Sequence, residues 1–214
     1  MNEKKIAVMI YPFFSLQEIT CLTSALTIWR GRKLDVFAAS KDPIRSEDGF
    51  SVTADKLFSE FNAEEYDCVI LPGILDPLPA LFEKGNIEFL RGLADKDIII
   101  AAISSAPLLL AKAGLLEDRE FTSAVWDEIL QYLDFVPKDN IARVPVCKDG
   151  NIITAVGFAF REFAVAVLRA LCMDCGDNIF PSAKKEYTAE ELTFKMGKKD
   201  FAEFFKEYRR YETL

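Results

Sequence analysis

Apolar positions along this chain fall into two rhythms. Short unbroken runs, Ile6 to Ile10 and Leu34 to Ala39, flank a stretch from Leu16 to Trp29 whose apolar residues recur at helical spacing. The pattern predicts strand, helix, strand. The next segment, "KDPIRSEDGFSVTADKLFSEF", carries Pro43, Asp48 and Gly49 at turn positions, and the alternation in "FSVTAD" predicts a small hairpin before a short helix. "YDCVILPG" and "DIIIAAIS" are apolar runs too short for helices, each followed by a helical pattern, as buried parallel strands are. Further on, "REFTSAV" reads as a strand, "WDEILQYL" as a helix, and "ARVPVCKDGNIITAVG" as a hairpin turning at Asp149 and Gly150. An apolar helix from Phe160 to Cys172 closes the domain. Right-handed crossovers place the helices on both faces of a mainly parallel sheet.

Beyond Gly176 the chain becomes charged, with Phe201, Phe204, Phe205 and Tyr208 on one helical stripe. We therefore expect an α/β domain over residues 1–175 and a helical extension over 176–214 whose aromatic face packs on the domain or on a partner. Half of the 214 residues are hydrophobic, enough for a sizeable core. The net charge of −8 argues against a nucleic-acid partner, because phosphate contacts need clustered Lys and Arg. No stretch reaches the roughly 18 uncharged apolar residues of a membrane span. We expect a cytoplasmic protein with no membrane partner. Five cysteines, Cys21, Cys68, Cys147, Cys172 and Cys175, are scattered and odd in number, so most should be reduced and buried. The Cys172–Cys175 pair follows a helix instead of opening one, which favours packing over redox chemistry. There is no histidine, and neither a metal site nor a cofactor is expected.

Chemistry is sought beyond the carboxyl ends of the strands, where open α/β sheets bind ligands. There "IIIAAISSAPLLLAKAGLL", Ile98 to Leu116, runs from a buried strand through a small-residue turn into a helix. That is the layout of a nucleophile elbow, with Pro107 suited to the first helical turn and Ser105 placed to cap it.

The segment "AAISSAPLLLAKAGLLEDREFTS" resembles the elbow of the DJ-1/ThiJ/PfpI superfamily, of class I glutamine amidotransferase type; "YDCVILPG" and "DGNIITAVGFAFREFAVAVLRAL" resemble two further motifs of that superfamily. "GRKLDVFAAS" and "IRSEDGFSVTAD" fit its second strand and hairpin, so the resemblance runs from about Lys5 to Leu171. It implies a flavodoxin-like three-layer α/β/α sandwich, and homodimerisation near the first helix, where Phe13 and Phe14 lie. It also implies site residues: the elbow position, a cysteine in the family, is Ser104; the acidic partner is Glu18; and the oxyanion-binding segment maps to Gly73, Ile74 and Ser105. The position of a frequent family histidine is Ala124.

These departures matter. A serine hydroxyl stays protonated unless a base lies within hydrogen-bond reach, and without imidazole the candidate base is Glu18 with a pKa raised by burial. Lys112 lies a turn or more below the elbow. Tyr11, Phe14, Trp126 and Phe158 follow strands and are candidates to line a pocket. Three functions stay open: a binding protein for a small metabolite that has lost the parent cysteine-protease- or amidase-like catalysis; an enzyme using Ser104 and Glu18 for hydrolysis or hydration; and an interaction protein using its aromatic tail.

Overall fold

β1 (Lys5–Met9) is buried along nearly its whole length and sits inside a seven-stranded sheet of order β5-β2-β1-β6-β7-β9-β8. In a computed structural model of the chain, residues 4–176, 179, 180, 188, 197–203 and 206 are described. β2 (Leu34–Ala38) and β6 (Tyr66–Leu71) pair parallel to β1 on its two sides. β7 (Ile99–Ile103) and β9 (Ile152–Ala155) continue the parallel ladder, and β8 (Val146–Asp149) closes that edge antiparallel. The unbroken apolar runs of β6 and β7 are buried on both faces, which is why they do not alternate.

The connection from β1 to β2 steps one way along the sheet, and those from β6 to β7 to β9 step the other. With right-handed crossovers the helices fall on opposite faces. α1 (Gln17–Ser24), which widens into a π-helical turn over Ala25–Trp29, packs with α6 (Phe160–Ala170). α2 (Leu78–Phe82), α3 (Lys84–Arg91) and α4 (Pro107–Lys112) pack together on the other side, and a short α5 (Asp127–Tyr132) lies beyond the elbow. α6 is anchored by Phe163, Ala164, Val167 and Leu168, a helical stripe that is fully or almost fully buried. Truncating a buried Phe such as Phe163 to Ala costs about 3–5 kcal/mol.

Three expectations need correction. The hairpin exists as β3 (Ile44–Arg45) against β4 (Ser51–Val52), but the next segment forms an edge strand, β5 (Lys56–Leu57), before a single 3-10 turn at Phe58–Glu60. "REFTSAV" is not a strand: it makes one bridge, Phe121 to Ile141. The Thr122 N–H goes instead to Thr154 Oγ1 (2.9 Å) and the Ala124 N–H to the Ser104 carbonyl (2.9 Å). Of the cysteines, Cys68 and Cys147 are buried, Cys21 and Cys175 half-buried and Cys172 exposed, all as free thiols.

The chain divides into two compact units, Met1–Phe180 and Pro181–Leu214. In the second, residues 198–203 and 206 are helical, and Phe201 is exposed. Phe204, Phe205 and Tyr208 of the expected stripe lie outside the described residues. No helix among the described residues is long and apolar enough to cross a membrane.

Candidate active site at the elbow

β7 ends at Ile103, α4 begins at Pro107, and three residues make the turn. Ser104 takes φ 64°, a left-handed conformation that costs a non-glycine residue about 1–2 kcal/mol. Its N–H donates to the Ala155 carbonyl (2.8 Å) and its carbonyl accepts from the Ala124 N–H (2.9 Å). The strained backbone is thus clamped from both sides, and the hydroxyl projects from the strand end.

The loop after β1 positions the carboxyl. Phe13, also left-handed at φ 63°, lies in a short antiparallel contact between this loop and the one after β6. Ser15 N–H donates to the Gly73 carbonyl (2.8 Å) and Leu75 N–H to the Phe13 carbonyl (3.2 Å). The β3–β4 turn then grips the start of α1: Asp48 Oδ2 accepts the Leu16 N–H at 2.7 Å, and the Glu47 N–H donates to the Phe14 carbonyl at 3.0 Å. Asp48 thereby satisfies an N–H beside the helix start that would otherwise lack a partner.

Glu18, one residue into α1, reaches between two glycines to Ser104. A Cβ on Gly73 would fall 1.8 Å from Glu18 Oε2 and 2.6 Å from Ser104 Cβ. One on Gly157 would fall 2.3 Å from Glu18 Oε1 and 3.1 Å from Ser104 Oγ. Only glycine leaves room for the carboxyl at both points. Burial pushes the Glu18 pKa up to about 7, with the negative charges of Glu47 and Asp48 adding to the rise. The Ser104 hydroxyl and the Gly73 N–H, which lie toward the carboxyl, oppose the rise only in part. Oε2 is buried with no donor in hydrogen-bonding geometry.

Ser105 does not cap α4; that helix starts from Ala106 without a side-chain cap. Its hydroxyl reaches across to the β6 loop, donating to the Ile74 carbonyl (2.6 Å) and accepting the Ile74 N–H (3.1 Å). The Ile74 amide, part of the segment expected to bind an oxyanion, is therefore engaged within the protein. The Ser105 N–H has no partner among the described residues.

A cavity of about 260 Å³ opens beside Ser104, with Glu18, Glu47, Ser105 and Trp126 in its lining. Of the four aromatic candidates, Trp126 belongs to it. Tyr11 is buried and donates to the Pro72 carbonyl at 2.5 Å, and Phe14 is fully buried in the core. Phe158 lines a neighbouring cavity of about 340 Å³. Lys112 faces away, its ammonium 4.0 Å over the Phe82 ring. A larger cavity, about 690 Å³, lies at the opposite end of the strands around Phe58, Phe61 and Lys4. It has neither strained backbone nor an orphaned polar atom, so we place the candidate site at the smaller one. Among the described residues no group of three or more His, Cys, Asp or Glu could hold a metal ion.

Glu47 and Gly157 escaped the sequence reading. Gly157 had one signal, a glycine just past a strand end; Glu47 had none, because a distant turn delivers it.

A parallel sheet whose chain reverses direction beside β1, with a strained elbow residue facing a carboxyl, defines an α/β protein of the flavodoxin-like class. The profile of the DJ-1/PfpI family matches residues 4–170, and the chain belongs to that family. It is 28% identical over 124 residues to deglycase PfpI of Pyrococcus furiosus, covering 58% of this chain and 68% of that protein. An uncharacterised protein of Methanocaldococcus jannaschii is 26% identical over 173 residues, covering 80% and 84%. Among solved structures, the ThiJ/PfpI family protein of Bacillus anthracis superposes with a TM-score of 0.72 at 26% identity, covering 79% of this chain and 84% of that one.

Proposed function

We propose that this protein binds a small polar metabolite in the elbow cavity and that the elbow no longer performs nucleophilic catalysis. The observation carrying this reading is the reciprocal Ser105–Ile74 hydrogen bonding, which occupies an amide that would have to face a developing oxyanion. Ser104 supports it, since a hydroxyl stands where the family resemblance places a thiol and is a weak nucleophile without a strong neighbouring base. A second reading, hydrolysis or hydration by Ser104 with Glu18 as base, is favoured by the Glu18 pKa near 7, which suits proton transfer at neutral pH.

Turnover in a deglycase assay, after the name of the Pyrococcus relative, and of an activated ester separates the two. Wild type and Ser104→Ala are expected to show the same background rate. Ser104→Cys combined with Ser105→Gly, which supplies a thiol and frees the Ile74 amide, is expected to gain turnover. Wild-type activity that disappears in Ser104→Ala would establish the enzyme and end the binding-only reading.

Homodimerisation belongs to the same proposal, with Phe13 partly exposed on the loop before α1. Light scattering during size-exclusion chromatography tests it, and a single-chain mass would refute it. The free thiols suit a reducing compartment such as the cytoplasm.

A further inference from the structure

The polar groups in the elbow cavity are mostly acceptors. Glu18, Glu47, Ser104 and Ser105 supply its polar lining, and no Lys or Arg is among the lining residues. Of the two amides that could have met an anion, the one on Ile74 is engaged by Ser105, whose own proton goes to the Ile74 carbonyl. Glu18 lines the cavity, but its Oε2 is sealed in the protein beside Gly73, so a ligand would meet the charge of the carboxyl and not that oxygen. Asp48 adds a further negative charge acting on Glu18 from the same turn as Glu47. Trp126, 75% exposed, forms part of the wall and offers an indole that attracts cations as well as alkyl chains. Leu75 and Ile129 make the remaining wall apolar.

We propose that the elbow cavity selects small cationic ligands, ammonium or amidinium compounds of a few carbons, with Glu18 and Glu47 meeting the charge and Trp126 the hydrocarbon. This rests on the reading of the cavity as a binding site and names its ligand class. With Glu18 ionised, above about pH 7, an anion entering the same space would be repelled by two carboxylates and offered one free amide. The volume, about 260 Å³, is below the usual range for drug-sized ligands and suits a fragment.

Three molecules of one size and different charge test it: n-butylammonium, n-butanol and n-butyrate, titrated by ligand-observed NMR at about pH 8, where Glu18 is largely ionised. Butylammonium is expected to bind at least ~10-fold more tightly than butyrate. Glu47→Gln, on an exposed turn, should weaken it about 3-fold and Glu18→Gln about 10-fold, in each case by more than butanol binding changes. Equal or tighter binding of butyrate, or a cation preference that survives in the Glu18→Gln/Glu47→Gln double variant, overturns the proposal. If butanol or butyrate binds without a cation preference and Trp126→Ala abolishes that binding, the cavity remains a binding site and only the ligand class is refuted. Failure of all three to bind refutes both.

Discussion

Asp35, near the start of β2, and Glu18, at the start of α1, are carboxyl groups beside opposite ends of one parallel sheet. Asp35 accepts from Tyr66 Oη (2.6 Å), Lys56 Nζ (3.0 Å) and Lys5 Nζ (3.3 Å). Arg32 and Asp67 pair at 2.5 Å at the same end of the sheet. Burial works to raise the Asp35 pKa, yet the three donors overcome it and hold the group below the usual carboxylate range. Glu18 is more deeply buried and has weaker help, so its pKa rises to about 7. The difference lies in burial and in partners together. One end of the sheet spends its polar groups on one another, and the other lines a cavity with Glu18, the strained Ser104 and an exposed tryptophan. Groups left short of partners inside a fold cost stability, and they are what a ligand can complete.

The largest break in this comparison should come from pH. Because folding raises the Glu18 pKa from its ordinary 4.5 to about 7, the stability it contributes is fully present below about pH 4.5 and is lost as pH rises to about 7. The loss amounts to roughly 2–3 kcal/mol. Urea denaturation between about pH 5 and pH 8 should show it in wild type and a flatter profile in Glu18→Gln; equal slopes would show that the buried carboxyl is not the cause. Asp35 carries the opposite sign, since its contribution is present at neutral pH and is lost as pH falls through its lowered pKa. Asp35→Asn should therefore destabilise the protein by about 2 kcal/mol at pH 7 and by little in acid. An unchanged denaturation midpoint at pH 7 would mean that the paired end contributes nothing. The smallest effect concerns the elbow backbone: Ser104→Gly removes the left-handed strain and should stabilise by about 0.5–1 kcal/mol after glycine's entropy cost. A destabilised Ser104→Gly protein would place the value of Ser104 in its side-chain contacts instead.

Much of the scaffold was legible because buried parallel strands leave a mark at short range. β1, β2, β6 and β7 appear as apolar runs, and the turn between β8 and β9 is marked by Gly150 at φ 58°. The resemblance pointed to Ser104 and Glu18, in two distant segments, and the fold brings both against Gly73 and Gly157. The role of Ser105 is not legible locally, because capping is a local rule whereas its partner Ile74 is 31 residues away. β5 was missed because a two-residue edge strand is too short to show alternation. The segment at Phe121 has strand-like composition, but its amides bond to Thr154 and to Ser104 instead of a neighbouring strand.

What the sequence by itself determined is the alternation of buried strands and amphipathic helices, and a small-residue turn where one strand must bend sharply into a helix. These depend on periodicity and on steric limits that act within a few residues. The tertiary structure alone decided that Ser105 closes on Ile74, that Gly73 and Gly157 leave room for Glu18, and that the hairpin turn brings Glu47 into the cavity. Hydrogen bonding and charge depend on which groups lie within a few ångströms in space, and the chain's local pattern does not contain those neighbours.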